Sequence, residues 1–320
     1  MLAPRSFNNI SILDYATLRK SSNDSHKMIG EYRWHESQSI LKHPAVYNLN
    51  INTDGASYDM QYIHGRTLAD CFVNKILTSR DFRDIFTAIR YKISKMRQQE
   101  VKMKDFIGFS SDDFKITEFI NKELYKDKTI SRLKKYGINL NTEYTLNGKK
   151  MPSLNTIIND CNVNVTFDDI SHIHGDMCFS NIILTDDWKE SRDNIAEHLY
   201  FIDPRGILGN EVTSLGDYKY DIAKLAHSVI GLYDFIKSDK IISDKISNNL
   251  TFSTSIVNLE VDIESIQEIF TDVFDINEQI YNIMVQLFLS MIPLHSDNKK
   301  HQIAMLANAL RLYEERTKMI

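Results

Sequence analysis

Two short runs constrain this chain more than any other part of it. Residues 174–181 read His-Gly-Asp-Met-Cys-Phe-Ser-Asn, and residues 201–206 read Phe-Ile-Asp-Pro-Arg-Gly. Both border strand-like apolar stretches, Ile182-Ile183-Leu184 and Leu199-Tyr200-Phe201-Ile202. Asp176, Asn181 and Asp203 are therefore expected at the ends of buried β structure. Taken singly, each has a plain explanation: an aspartate capping a helix, a surface asparagine, a turn aspartate before Pro204. Taken in this order they form a set. One carboxylate can take the proton of a hydroxyl, and an amide oxygen plus a second carboxylate can hold a hard divalent cation.

The chain has 320 residues, 42% hydrophobic and 25% charged, enough for one large domain or two lobes with a real core. A net charge of -5 argues against nucleic acid as the main partner. The three cysteines, Cys71, Cys161 and Cys178, are far apart and odd in number, with no zinc-like spacing. That pattern fits a reducing compartment. Residues 1–6 carry no apolar signal segment, and no apolar stretch approaches the ~20 residues of a membrane span. The expectation is a cytoplasmic protein without a membrane or nucleic-acid partner.

Along the chain, residues 10–19 contain short strand-like pieces, and Asn23-Asp24-Ser25 offers N-cap chemistry for a helix over 26–42. Residues 56–63 read as a strand ended by Gly65. Residues 67–74 and 80–99 read as helices, the second with Ile85, Ile89, Ile93 and Met96 at helical spacing. A charged helix is expected over 112–136, a turn at Asn147-Gly148 and a helix over 153–161. After the motif strands, an apolar helix is expected over 220–238, strand over 249–261, and long helices over 276–291 and 300–319. The charged stretch 186–197 reads as a solvated turn. The organisation is α+β: a small mixed N-terminal part, residues 1–65, and a mostly helical part, residues 66–320.

The motif residues resemble the kinase-like phosphotransferases, and within them the aminoglycoside phosphotransferase and choline kinase group. The family's catalytic loop reads His-Gly-Asp-x-x-x-x-Asn, and residues 174–181 match every fixed position. In place of an Asp followed by an aromatic residue stands Asp203-Pro204-Arg205-Gly206. That variant resembles bacterial small-molecule kinases of capsule or surface-polysaccharide gene sets. Residues 216–225, Gly-Asp-Tyr-Lys-Tyr-Asp-Ile-Ala-Lys-Leu, resemble the helix that follows the metal motif.

The resemblance implies a protein-kinase-like bilobal fold with a β-rich N-lobe and a helical C-lobe, and a phosphoryl transfer that uses ATP and Mg2+. Asp176 would be the catalytic base, with His174 in the same loop holding it in place or itself catalytic. Asn181 and Asp203 would be the metal ligands, and Asp221 would brace the loop. Lys20, with Glu31 or Glu36 as partner and Glu31 preferred, would hold the α- and β-phosphates. The backbone of Gln61 and Ile63 would meet adenine at the hinge. Arg205 is open between an anionic ligand and a salt bridge to Asp217 or Asp221. One family part is missing, because residues 6–11 before Lys20 contain no glycine.

A small polar acceptor is implied: a sugar, a sugar precursor or an amino alcohol. A quaternary ammonium would want an aromatic and acidic cage, for which Tyr218, Tyr220, Tyr233 and Asp234 are candidates. An aminoglycoside would want acidic residues such as Asp112, Asp113 and Glu118, which otherwise read as a solvated helix face. His295 and Asp297 are read either as pocket lining or as a helix stop followed by a cap. Two rival readings stand beside this one: a protein kinase, opposed by the lack of an activation segment after Gly206, and a non-catalytic nucleotide-binding regulator on the same fold.

Overall fold

The computed structural model describes residues 9–101, 113–253 and 263–319. The N-terminal part is an antiparallel sheet with one helix. β1 (Asn9–Ile12), β2 (Thr17–Ser22), β3 (Val46–Asn52) and β4 (Gly55–Gln61) lie in the order β1-β2-β4-β3, and α1 (Ser25–Ser37) packs on β3 and β4. Asp24 caps α1 by accepting the Lys27 N–H, which satisfies one of the open donors of the first turn. In β2 the side chains alternate: Leu18, Lys20 and Ser22 point inward and Arg19 points outward, where it pairs with Asp59 at 2.7 Å. Leu18, Met28, Tyr58 and Met60 form a small core that Ile183 and Ile202 of the motif strands complete.

The remainder is mostly helical. It runs β5 (Gly65–Thr67), α2 (Leu68–Val73), α3 (Ser79–Arg97), α4 (Asp113–Leu124), α5 (Lys126–Lys135), β6 (Thr145–Leu146), β7 (Lys149–Lys150) and α6 (Leu154–Asp160). The motif strands follow: β8 (Ile170–His172), β9 (Ile182–Thr185), β10 (Leu199–Phe201), β11 (Ile207–Leu208), β12 (Glu211–Val212) and β13 (Leu215–Asp217). Then come α7 (Tyr218–Val229), α8 (Tyr233–Lys237), β14 (Ile242–Ile246), β15 (Asn249–Ser253), α9 (Ile263–Val273), α10 (Glu278–Met291) and α11 (Lys299–Thr317). α10 lies at the centre, packed on α5, α7 and α11. Around it a large core gathers Phe82, Phe86, Phe179, Phe270 and Phe288, all essentially buried. No helix of the described residues is long and apolar enough to cross a membrane.

Several expectations change. The strand β3 was not foreseen. Its apolar–polar alternation is broken by a bulge between Tyr47 and Asn50, with Asn48 in the left-handed region at φ 56°. The long apolar helix expected over 220–238 is two helices. Gly231 and the left-handed Leu232 (φ 53°) end α7 and start α8. The charged helix expected over 112–136 breaks at Tyr125, whose buried hydroxyl donates to Asp217 at 2.7 Å. Residues 186–198 form 3-10 turns that bury Trp188 and Ile195, so the segment is not purely solvated. The strand pieces expected over 10–19 are present: Asn9–Ile12 pair antiparallel with β2, while residues 6–8 lie outside the described residues.

Candidate active site

Lys20 is the electrostatic centre of the cleft. Its side chain is 1% exposed, and its ammonium lies 2.6 Å from Glu31 Oε2 and 2.7 Å from Asp203 Oδ1. β2 delivers the lysine, α1 the glutamate and the turn after β10 the aspartate. Tyr58 of β4 donates its hydroxyl to the same Glu31 oxygen at 3.1 Å. Against the opposing effect of burial, Asp203 and Glu31 hold the Lys20 ammonium well above its usual pKa. Burial raises Glu31, whereas Lys20 overcomes burial at Asp203 and keeps it below the usual carboxylate range. Glu36, the alternative partner, is exposed on the other side of α1.

Asp203 sits in the left-handed region at φ 55°, a conformation that aspartate tolerates better than most side chains. The turn that forces it is tightly packed. Gly206 has φ 63°, and a Cβ there would stand 2.2 Å from the carbonyl carbon of Gly30 in α1. A Cβ on Gly30 would in turn stand 2.7 Å from Gly206 O. The two glycines let the helix carrying Glu31 touch the turn carrying Asp203.

The loop 174–181 is held from below. Asp221, in the first turn of α7, accepts the His174 N–H at 2.7 Å and the Gly175 N–H at 2.8 Å. Burial, with a push from Asp176, raises Asp221 to about 7. Arg205 N–H donates to His174 O at 2.8 Å, and Ile202 N–H to Asn181 O at 3.0 Å, so the two motifs are stitched together through backbone. His174 is fully buried and lowered to about 4, mainly by burial. Its Nδ1 accepts the Asp176 N–H at 3.3 Å. The buried imidazole orients the loop through that bond.

Asp176 is part-exposed in the cleft, and Lys224 of α7 lies 2.7 Å from its Oδ1. Asn181 donates its side-chain N–H to Asp176 O at 2.9 Å, which turns its Oδ1 away as the atom open to a cation. Asn181 Oδ1 and the carboxylate of Asp203 are hard oxygen donors. That suits Mg2+, which takes one or two protein oxygens and completes its shell with phosphates and water. After β4, Gln61 N–H is bonded to Ala45 O at 2.9 Å and Tyr62 N–H to Ala16 O at 2.7 Å, which fixes the chain that leads to Ile63.

Other sequence candidates separate. Tyr218 stacks under Arg97, Tyr233 packs on His227, and Tyr220 is covered by Arg205 and Lys128, so no aromatic cage forms. Arg205 makes neither salt bridge considered for it. Its Nη2 donates to Tyr220 Oη at 2.8 Å. Glu118 is exposed, Asp112 lies outside the described residues, and Asp113 is described in its backbone only. His295 is buried against Tyr233, Asp297 is exposed, and the cap of α11 is Asn298. Sequence reasoning missed Tyr58 and Lys224. Lys224 had a signal, because it lies three residues after Asp221 on one helix and must share its face.

No protein-family model matches the chain. No curated protein matches it in sequence. Among solved structures, aminoglycoside 2′-phosphotransferase IIIa, as a GDP complex of a mutant, is similar over 99% of this chain and 90% of its own, with a TM-score of 0.50 and 11% identity. The chain has that kinase-like fold. Aminoglycoside phosphotransferase APH(3″)-Id from Streptomyces rimosus overlaps 90% of this chain and 92% of its own at a TM-score of 0.44 and 12% identity. A thermostable mutant of APH(4)-Ia overlaps 97% and 94% at 0.48 and 11%.

Proposed function

We infer that this chain is a nucleotide-dependent phosphotransferase that moves the γ-phosphate of ATP to a hydroxyl of a small polar metabolite. One observation carries the reading. Lys20, Glu31 and Asp203, from three separate elements, meet in a single buried ion group beside a braced loop bearing Asp176 and Asn181. On bringing in nucleotide, Lys20 exchanges its contact with Asp203 for the α- and β-phosphates; Asp203 and Asn181 would hold Mg2+, which would supply neutralisation of the phosphate charge. Asp176 orients the acceptor hydroxyl and takes its proton as the acceptor oxygen bonds to the γ-phosphorus. The bond from that phosphorus to the β–γ bridging oxygen breaks, and ADP leaves. Gln61 and Ile63 present backbone groups to the base, and the division between lobes falls near Gly65.

A small acceptor is favoured over a peptide. Between Gly206 and α7 there is only the β11–β12 hairpin and β13, which pairs with β8. This leaves no platform for an extended chain. The test is ADP or GDP release from Mg·ATP or Mg·GTP with pooled sugars, amino alcohols, aminoglycosides, hydroxylated acids and a generic protein, with Asp176→Asn as control. Release that requires a small-molecule pool and vanishes in the variant, while nucleotide binding persists, supports the reading. Release with protein alone, or nucleotide binding without turnover in any pool, overturns it.

A further inference from the structure

Near Asp176 stands a group of cations that, among the described residues, no carboxylate meets at ion-pair distance. Lys128 and Arg132 are one turn apart on α5, Lys128 facing Tyr220 of α7 and Arg132 facing Ser290 at the end of α10. Lys128 Nζ lies 3.1 Å and Arg205 Nη2 2.8 Å from Tyr220 Oη, and the Arg205 guanidinium sits 4.9 Å from that ring's centroid. Both nitrogens are donors, so the phenol oxygen serves as the acceptor for two positive groups at once. Arg132 Nη1 reaches only a backbone carbonyl, Ser290 O, at 3.5 Å. Among the described residues none of these three side chains has a carboxylate within ion-pair distance, although Lys128, Arg132 and Arg205 are each half-buried. A fourth cation, Lys224, is committed to Asp176.

The titration behaviour agrees with uncompensated charge. Burial, and then repulsion from Arg205 and Arg132, pushes Lys128 down to about 7. Despite burial, which acts the other way, Arg205, Lys128 and Lys224 pull the Tyr220 phenol down to about 7. Both shifts follow from positive charge in excess around Tyr220. Asp176 is close enough to act electrostatically on both Tyr220 and Arg132, so the cluster and the proposed base share one space.

The geometry points to an acceptor that is itself an anion: a small hydroxylated carboxylate or phosphate ester whose charged group is received by Arg205, Lys128 and Arg132 around Tyr220 while its hydroxyl is presented to Asp176. This rests on the phosphotransferase reading above for its direction, and it is opposite in charge to a polyamine acceptor, which these cations would repel. Arg and Lys supply the paired N–H donors that carboxylate and phosphate oxygens require.

Inorganic sulfate is the probe that tests the anion site apart from turnover. Calorimetry would follow its binding to the full chain, alone and with saturating Mg·AMP-PNP, for wild type, Lys128→Gln and Arg132→Gln, each first checked by circular dichroism. Sulfate that binds beside the nucleotide and is weakened roughly ten- to hundredfold in both variants sustains the proposal. That result stands even if no pool is turned over, in which case the phosphotransferase reading alone fails. No sulfate binding by wild type, or binding that Mg·AMP-PNP abolishes, overturns it, the latter because the cations would then serve the triphosphate. In the ADP-release assay, separate hydroxy-acid and phosphate-ester pools distinguish the two anions. Turnover confined to neutral or cationic acceptors overturns the proposal.

Discussion

Replacing Lys20 by methionine isolates the buried ion group and gives a number to check. The substitution keeps the apolar stem and removes the charge that faces Glu31 at 2.6 Å. The Glu31 side chain is 2% exposed, and its other cation, Lys27, is 3.6 Å away and 36% exposed, hence screened. The variant must therefore bury an unpaired carboxylate or protonate it. Taking a proton at pH 7 onto a group whose unfolded pKa is ~4.3 costs roughly 3.5 kcal/mol at 1.36 kcal/mol per unit. That agrees with the ~3–5 kcal/mol seen on removing one partner of a buried pair. At pH 5.5 the same protonation costs only roughly 1.5 kcal/mol, so the deficit should shrink by about 2 kcal/mol. The sign follows from the variant's raised Glu31: its stability is fully present below the unfolded pKa and is lost as pH rises. Urea unfolding at the two pH values reads both quantities, and Lys20→Met with Glu31→Gln should remove the pH dependence. A deficit under ~1 kcal/mol, or one that does not change between pH 7 and 5.5, refutes the reasoning.

Other outcomes follow from single contacts. Asp234 is buried, its Oδ2 has no hydrogen-bond partner, and burial raises it to about 6. Its protonated form is the stable one, so wild type should lose stability relative to Asp234→Asn as pH rises from about 4 through 6, measured by thermal melts across that window. Asp221→Ala removes the acceptor of two loop amides. Transfer rate should drop about a hundredfold while nucleotide affinity, read by fluorescence titration, holds. Gly206→Ala forces a Cβ into α1 at a positive φ, and should destabilise by about 1–3 kcal/mol in denaturant unfolding.

Legibility in the sequence tracked locality. The two runs 174–181 and 201–206 were readable as a proposed pair because each is contiguous and carries its own spacing, and the structure brings them together through backbone bonds. The pairing of Lys20 with Glu31 was readable only through the family resemblance, which left Glu36 open; the structure brings Lys20 to Glu31 and leaves Glu36 exposed. The helix break at Leu232 was not readable, because apolar residues continue through it. What stops α7 is Gly231, whose carbonyl accepts from Asn308 on the distant α11. The cation cluster was equally hidden. Lys128 and Arg132 on α5, Arg205 after β10 and Tyr220 on α7 carry no shared spacing, and only tertiary packing brings them together.

The glycine contact between Gly30 and Gly206 acts with a second fastening on the same helix. Trp34, one turn on from Gly30, donates its indole N–H to Ile173 O at 2.8 Å, just ahead of the loop 174–181. α1 is thus riveted at two points to the body that carries the chemistry. A helix so attached cannot serve as a lever that swings out to switch the protein off. Its amides should exchange hydrogen only when the whole molecule opens.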